Sequence, residues 1–387
     1  MNDGDLLGNG RTYIPSDVIS TEGVNVRRRT VIAGLAATAL VAFVGSPAFA
    51  SAAQSHNSGA PTAGFTQINQ VSDQPGKANI TDTDLVNAWG LSLSPTSPLW
   101  SSNNGTNTAT LYSGGLGGAS VAKVALTVSI PGGAPTGTVF NDTTGFVVSG
   151  PGGSAAASFM FASEGGDITA WNRNVNGTTA AVVAHVPGAV FKSLALAHTQ
   201  FGAFLLAADF HNGQVDVFDS SFHLVTLPGA FFHDRHLPRG YAPFNILVNG
   251  DSVIVTYAKQ SVGSDDEAHG PGLGIVDEFT NLGLTVHRIA SHGTLNAPWG
   301  LAIAPAGFGD LAGSLLVGNF GDGRINVFTH GHFAGQLRDA HNHRITIDGL
   351  WALLPGTAST GGVGTMWFSA GPDDESHGLV GQLISGS

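Results

Sequence analysis

Two segments of this chain carry the same six-residue pattern of acids and imidazole: Asp265-Asp266-Glu267-Ala268-His269-Gly270 and Asp373-Asp374-Glu375-Ser376-His377-Gly378. Three adjacent carboxylates repel one another unless water or a cation neutralises them. Oxygen-rich loops of this kind suit calcium, and the neighbouring imidazole extends the choice to zinc, manganese or iron. The metal-ligand candidates are therefore Asp265, Asp266, His269, Asp373, Asp374 and His377. The competing reading is a pair of solvated turns, since Asp and Gly favour turns whether or not they bind anything.

Other polar residues fall at corresponding places. Asp209 and His211 lie in Asp209-Phe210-His211-Asn212-Gly213, and Glu164 lies in a similar short loop. If these loops open on one face, Glu164, Asp209 and His211 join the acidic pair at a common mouth as ligand-binding candidates. For Asp209 the alternative is a hydrogen bond to its own loop amides, and a lone His211 favours a structural role over a metal ligand. Asn87 and Asn245 stand near the starts of apolar segments, beside Trp89, Trp299 and Trp351, where an amide can line a channel. Lys259 either pairs with Asp265 or Asp266 or is an ordinary surface cation. No G-x-S-x-G, H-E-x-x-H, phosphate-cradling loop or G-x-G-x-x-G occurs, so no catalytic residue is assigned. The absence of cysteine excludes thiolate nucleophiles, Cys-ligated zinc and iron–sulfur clusters.

The elements that must position these residues repeat six times. The copies begin at NAWGLSLS (87–94), PTGTVFN (135–141), FKSLALA (191–197), APFNILVNG (242–250), APWGLAIAP (297–305) and IDGLWALLP (347–355), each followed by one or two further apolar segments. Equivalent points lie about 47 to 57 residues apart, the period of a propeller blade. The first segment of each copy is nearly all small or apolar, as a strand buried on both faces should be. The third alternates, as in Gln214-Val215-Asp216-Val217-Phe218, which marks a strand with one solvated face. Only 11% of the residues are charged and 55 are glycine, which suits turns and strands and starves helical surfaces. The expected fold is all-β, a six-bladed β-propeller over 65–387. Phe65 to Val71 is expected to pair with the last strand, mixing the two termini in one blade.

Residues 1–50 read as a signal peptide. Arg27-Arg28-Arg29 precedes the apolar run from Val31 to Val44 and the small-residue site Ala48-Phe49-Ala50, an order that includes a twin-arginine signature. Residues 51–64 form a flexible polar lead. The expected location is secreted, extracellular, with no stable membrane span after cleavage. A formal net charge of -12 and no basic cluster beyond Arg29 exclude nucleic acid as a partner. A small molecule, a glycan or a protein at the loop face remains.

The motifs VSDQPG (71–76), LVNAWGLS (85–92), AADFHNGQVDVFD (207–219), TYAKQ (256–260), NAPWGLAIAPAGFG (296–309), VGNFGDGRINVF (317–328) and AGPDDESHGL (370–379) carry a resemblance over residues 65–384. Through them the chain resembles an uncharacterised family of exported bacterial and fungal proteins related to NHL-type six-bladed propellers. The resemblance implies the fold and no particular reaction. More distant propellers of the lactonase and phosphotriesterase type hold a calcium in the central channel, though their ligands do not map residue by residue here. Two functions follow: a binding or scaffold propeller, or a metal-dependent hydrolase of the lactonase or esterase type with a cation in the channel.

Overall fold

In the computed structural model, which describes residues 64–226, 231–284 and 286–386, six antiparallel sheets surround one axis. Their inner strands are Ala88–Ser92, Pro135–Phe140, Phe191–Thr199, Tyr241–Asn249, Pro298–Ile303 and Leu350–Pro355, numbered here as blades 1 to 6. Each inner strand packs on the next, and that of blade 6 packs on that of blade 1, closing the ring. The chain is a six-bladed β-propeller. Blade 3 has three strands where the others have four or five. The single α-helical turn among the described residues is Arg173–Asn176. The proposed signal peptide and nearly all of the polar lead lie outside the described residues.

Closure follows the expected scheme. Phe65–Ser72 pairs antiparallel with Leu379–Ser385, the third strand of blade 6, from Phe65 opposite Ser385 to Ser72 opposite Leu379. Phe65 is fully buried against Phe308 of blade 5, with ring centroids 4.7 Å apart. Gln70 and Gln382 join this strand to blade 1, donating to the carbonyls of Ala119 and Gly115.

Antiparallel order sends every second-to-third connection to one end of the ring, together with the starts of the inner strands. This end is the loop face. First-to-second and third-to-fourth connections emerge at the opposite end.

A second regularity concerns the inner strands alone. In all six blades the pairing of first and second strands slips by one residue near the start of the first. Such a bulge leaves one residue unmatched and re-aims its side chain. The residues there are Trp89, Thr136, Lys192, Phe244, Trp299 and Trp351. In five blades the residue leading into the strand has positive φ: Asn87, Ala134, Gly240, Ala297 and Gly349. At Gly349 the requirement is strict, because a Cβ there would lie 2.1 Å from the carbonyl oxygen of Gly371.

Candidate functional site

The bulged residues meet on the axis. The rings of Trp89 and Trp351 stack with centroids 3.6 Å apart, and Phe320 stacks on Trp351 at 3.9 Å. Trp299 stands edge-on to Trp351 at 5.8 Å, and Phe244 meets the same indole at 6.0 Å. With Phe210 these side chains belong to one buried cluster. They plug the channel, so it is two chambers: a polar mouth on the loop face, and a cavity of about 640 Å³ on the other side whose lining includes Trp299 and Asn245.

At the equivalent place in blade 3 stands Lys192. Its side chain is 2% exposed, and its ammonium lies 5.2 Å from the centroid of Trp89 and 5.9 Å from that of Phe210. A buried ammonium needs partners. Glu164, in the second-to-third loop of blade 2, supplies the first through an Oε1 contact at 2.6 Å, and Asp266 of blade 4 lies at 3.9 Å. Burial opposes the charged form, but attraction from Glu164, Glu267 and Asp266 outweighs it and holds Lys192 above the ordinary lysine range. The second oxygen of Glu164 accepts from Asn104 Nδ2 of blade 1 at 3.0 Å.

Glu375 comes from blade 6 on a strained loop. Asp373, Asp374 and Glu375 have φ of 54°, 49° and 64°, a left-handed turn of three non-glycine residues. Bonds from the Glu375, Ser376 and His377 amides to the Gly371, Asp373 and Pro372 carbonyls close it. Each such residue costs about 1–2 kcal/mol, and strain of this kind concentrates at functional sites. The turn sets Glu375 Oε2 2.6 Å from Asn87 Nδ2, while Asn87 Oδ1 accepts from Trp351 Nε1 at 2.9 Å. Burial first, then repulsion from Glu267, raises the Glu375 carboxyl to about 7; Asn87 and Lys192 offset this only in part. The buried indole N–H of Trp89 finds no partner among the described residues.

The sequence candidates distribute unevenly around this mouth. Glu164, Asn87 and Asp266 border it. His269 Nε2 lies 3.6 Å from buried Glu267, which raises the imidazole above its usual range, and its ring meets Phe320 edge-on at 5.1 Å. His211 and Asp265 pair across blades 3 and 4 at 2.5 Å, both about half exposed, and the contact raises the His211 imidazole. Asp209 is fully buried and accepts from the Val190 and Asn212 amides, the loop-amide role. Asn245 sits at the other chamber, donating to the Trp299 carbonyl at 2.5 Å. His377 turns to Asp73 at 2.7 Å, and Asp373 and Asp374 are exposed. Lys259 lies over the Tyr241 ring at 5.4 Å.

Lys192, Glu267 and Glu375 were not singled out from the sequence. The first had a signal: Lys192 stands in FKSLALA at a repeat position that is aromatic in four copies. Among the described residues, no three His, Asp or Glu side chains converge as a metal-holding set. At the axis the Lys192 ammonium occupies Glu164 at 2.6 Å, with Asp266 at 3.9 Å.

No protein-family profile matches the chain. Among solved structures, a streptogramin B lyase is 13% identical with a TM-score of 0.47, covering 85% of this chain and all of that one. The alpha-L-arabinofuranosidase Arb93a of Fusarium graminearum gives 0.47 at 10% identity, covering 83% of this chain and 98% of that one. Closer likeness is found in sequence. Uncharacterized protein R648 of Acanthamoeba polyphaga mimivirus is 33% identical over 327 residues, covering 81% of this chain and 78% of the viral protein. Uncharacterized protein L690 of the same virus is 33% identical over 321 residues, covering 78% and 81%. With matches of this length and a closed ring of six blades, the chain belongs to the β-propeller family of these two mimivirus proteins.

Proposed function

We propose that the chain is an exported propeller that binds a small molecule rich in hydrogen-bond donors at the loop-face mouth, a hydroxylated and preferably amine-bearing compound such as the amino-sugar end of a glycan. The observation that carries this reading is the charge imbalance around Lys192. Glu164 of blade 2 and Asp266 of blade 4 stand 2.6 and 3.9 Å from one buried ammonium, and Glu267 of blade 4 and Glu375 of blade 6 act electrostatically in the same group. His269, beside Glu267, and His211, beside Asp265, supply further cationic groups on this face. Acceptors in excess, beside Asn87 and Asn104, call for a ligand that brings donors. The metal-dependent hydrolase loses its main support, because the ammonium of Lys192 stands where a channel cation would have to neutralise the same acids.

Calorimetric titration at neutral pH with glucosamine, glucose and gluconate tests the reading on one scaffold with three charges. Glucosamine should bind most tightly and gluconate not at all, and Glu164→Gln should weaken glucosamine at least tenfold. Preference for gluconate would refute it. A stoichiometric metal in the purified protein, with a melting temperature lowered by chelator, would restore the hydrolase.

A further inference from the structure

The chamber on the opposite side of the aromatic plug has a different chemistry. Its walls are the second halves of the six inner strands, which contribute Leu91, Val139, Leu196, Val248, Leu301 and Leu353, one from each blade. Trp299 and Asn245, the latter bonded to the Trp299 carbonyl, line its inner end below the plug. A cavity of about 640 Å³ lies within the range, roughly 300–1,000 Å³, that takes a small ligand. The charged side chains of its lining are Asp142, His198 and Asp251; among the described residues no lysine or arginine borders it. Asp142 and His198 pair at 2.9 Å with each more than half exposed, and Asp251 accepts from Asn281 at 3.2 Å.

The end of the molecule around this opening also carries exposed apolar groups. Leu116, Val147, Phe201, Leu224, Leu284 and Val363 are about half exposed or more at this end, while Val262, more exposed than any of them, stands on the loop face. Exposed apolar groups gathered on one face mark an interaction site.

We infer that this chamber is a second ligand site, for a single-chain amphiphile with a cationic head: the chain enters toward Trp299 and the head stays at the rim beside Asp142 and Asp251. The walls are mainly apolar, and the Ser92 and Thr138 hydroxyls are the polar groups that join Asn245 inside them. The rim carboxylates select the sign of the head, and a carboxylate head would meet like charge.

The test is tryptophan fluorescence of the purified protein titrated with dodecyltrimethylammonium below its micelle concentration, with laurate and dodecanol as matched probes. Saturable quenching by the ammonium is expected, with laurate at least tenfold weaker. The surface pair Asp142→Asn/Asp251→Asn should weaken the ammonium about tenfold while sparing dodecanol, and Leu93→Trp, which narrows the opening, should weaken all probes. Melting temperatures of both variants serve as the folding control. Lack of saturation, laurate binding as tightly as the ammonium, or unchanged binding in both variants would each overturn the inference.

Discussion

Replacing Lys192 with methionine keeps the length and apolar stem of the side chain and removes its charge. Breaking a buried ion pair by deleting one partner costs about 3–5 kcal/mol, because the other charge stays desolvated. Here the partner is Glu164, whose side chain is 30% exposed and regains some water, which moves the cost to the low end of that range. Loss of the contacts to Trp89 and Phe210 adds about 0.5–1 kcal/mol. The sum, about 3–4 kcal/mol, corresponds to a melting temperature lowered by roughly 4–6 °C for a domain this large. The loss should depend on pH. Glu375 titrates near 7 in the folded protein, above its unfolded value of 4.5, so its contribution is present below about pH 4.5 and fades as pH rises through 7. Without Lys192 its carboxyl climbs further and Glu164 and Glu267 lose their counter-charge. Thermal melts from about pH 5 to pH 8 should show the gap between parent and variant widening as Glu375 ionises. A variant that melts within 1 °C of the parent at pH 8, or a gap that is flat across this window, would refute the assignment of Lys192 as the counter-charge of the mouth.

Further expectations follow from single side chains. Glu375→Gln removes the group that loses its proton between about pH 4.5 and 7, so melts should flatten across that window and the variant should exceed the parent at pH 8. Gly349→Ala combines a left-handed φ of 63° with a clash on the Gly371 carbonyl and should cost more than about 2 kcal/mol, measured by urea denaturation. Phe65→Ala opens a cavity where the two termini close the ring and should cost about 3–5 kcal/mol in the same assay. Arg288 holds the buried carboxylates Asp277 and Asp234 of blade 4 and its neighbour, so Arg288→Met should be as destabilising as a broken buried pair, about 3–5 kcal/mol before allowance for its partial exposure.

The blades were legible because their cause is local. A strand buried on both faces must be apolar throughout, an outer strand must alternate, and both patterns survive in FKSLALA and QVDVF without knowledge of any neighbour. The terminal pairing was legible for the same reason, since FTQINQV has the pattern of a strand and the sixth copy lacked an outer one. The mouth was only half legible. The two acidic repeats do lie on one face, as their common place between second and third strands requires, yet equal letters did not give equal roles. In blade 6 the run Asp373-Asp374-Glu375 winds left-handed and drives its third carboxylate to Asn87; in blade 4 no residue of the run has positive φ, Asp265 is spent on His211, and it is Glu267 that is buried. Backbone handedness is set by what the loop packs against, which is invisible in the loop's own composition.

The lysine shows the opposite failure, a signal present in the chain but outweighed by a pattern. A conserved-length bulge turns one residue per blade to the axis, and five uncharged residues there make the sixth conspicuous once the copies are set side by side: Trp89, Thr136, Lys192, Phe244, Trp299, Trp351. A lysine does not occupy such a place for packing, since burying an ammonium is costly unless acids are brought to it, and acids were brought from blades 2 and 4. Glu164, Asp266 and Glu267 therefore have a common explanation that no single loop supplies. They are the counter-charges of a residue three or more strands away, and the surplus they leave after neutralising it is what a ligand would meet.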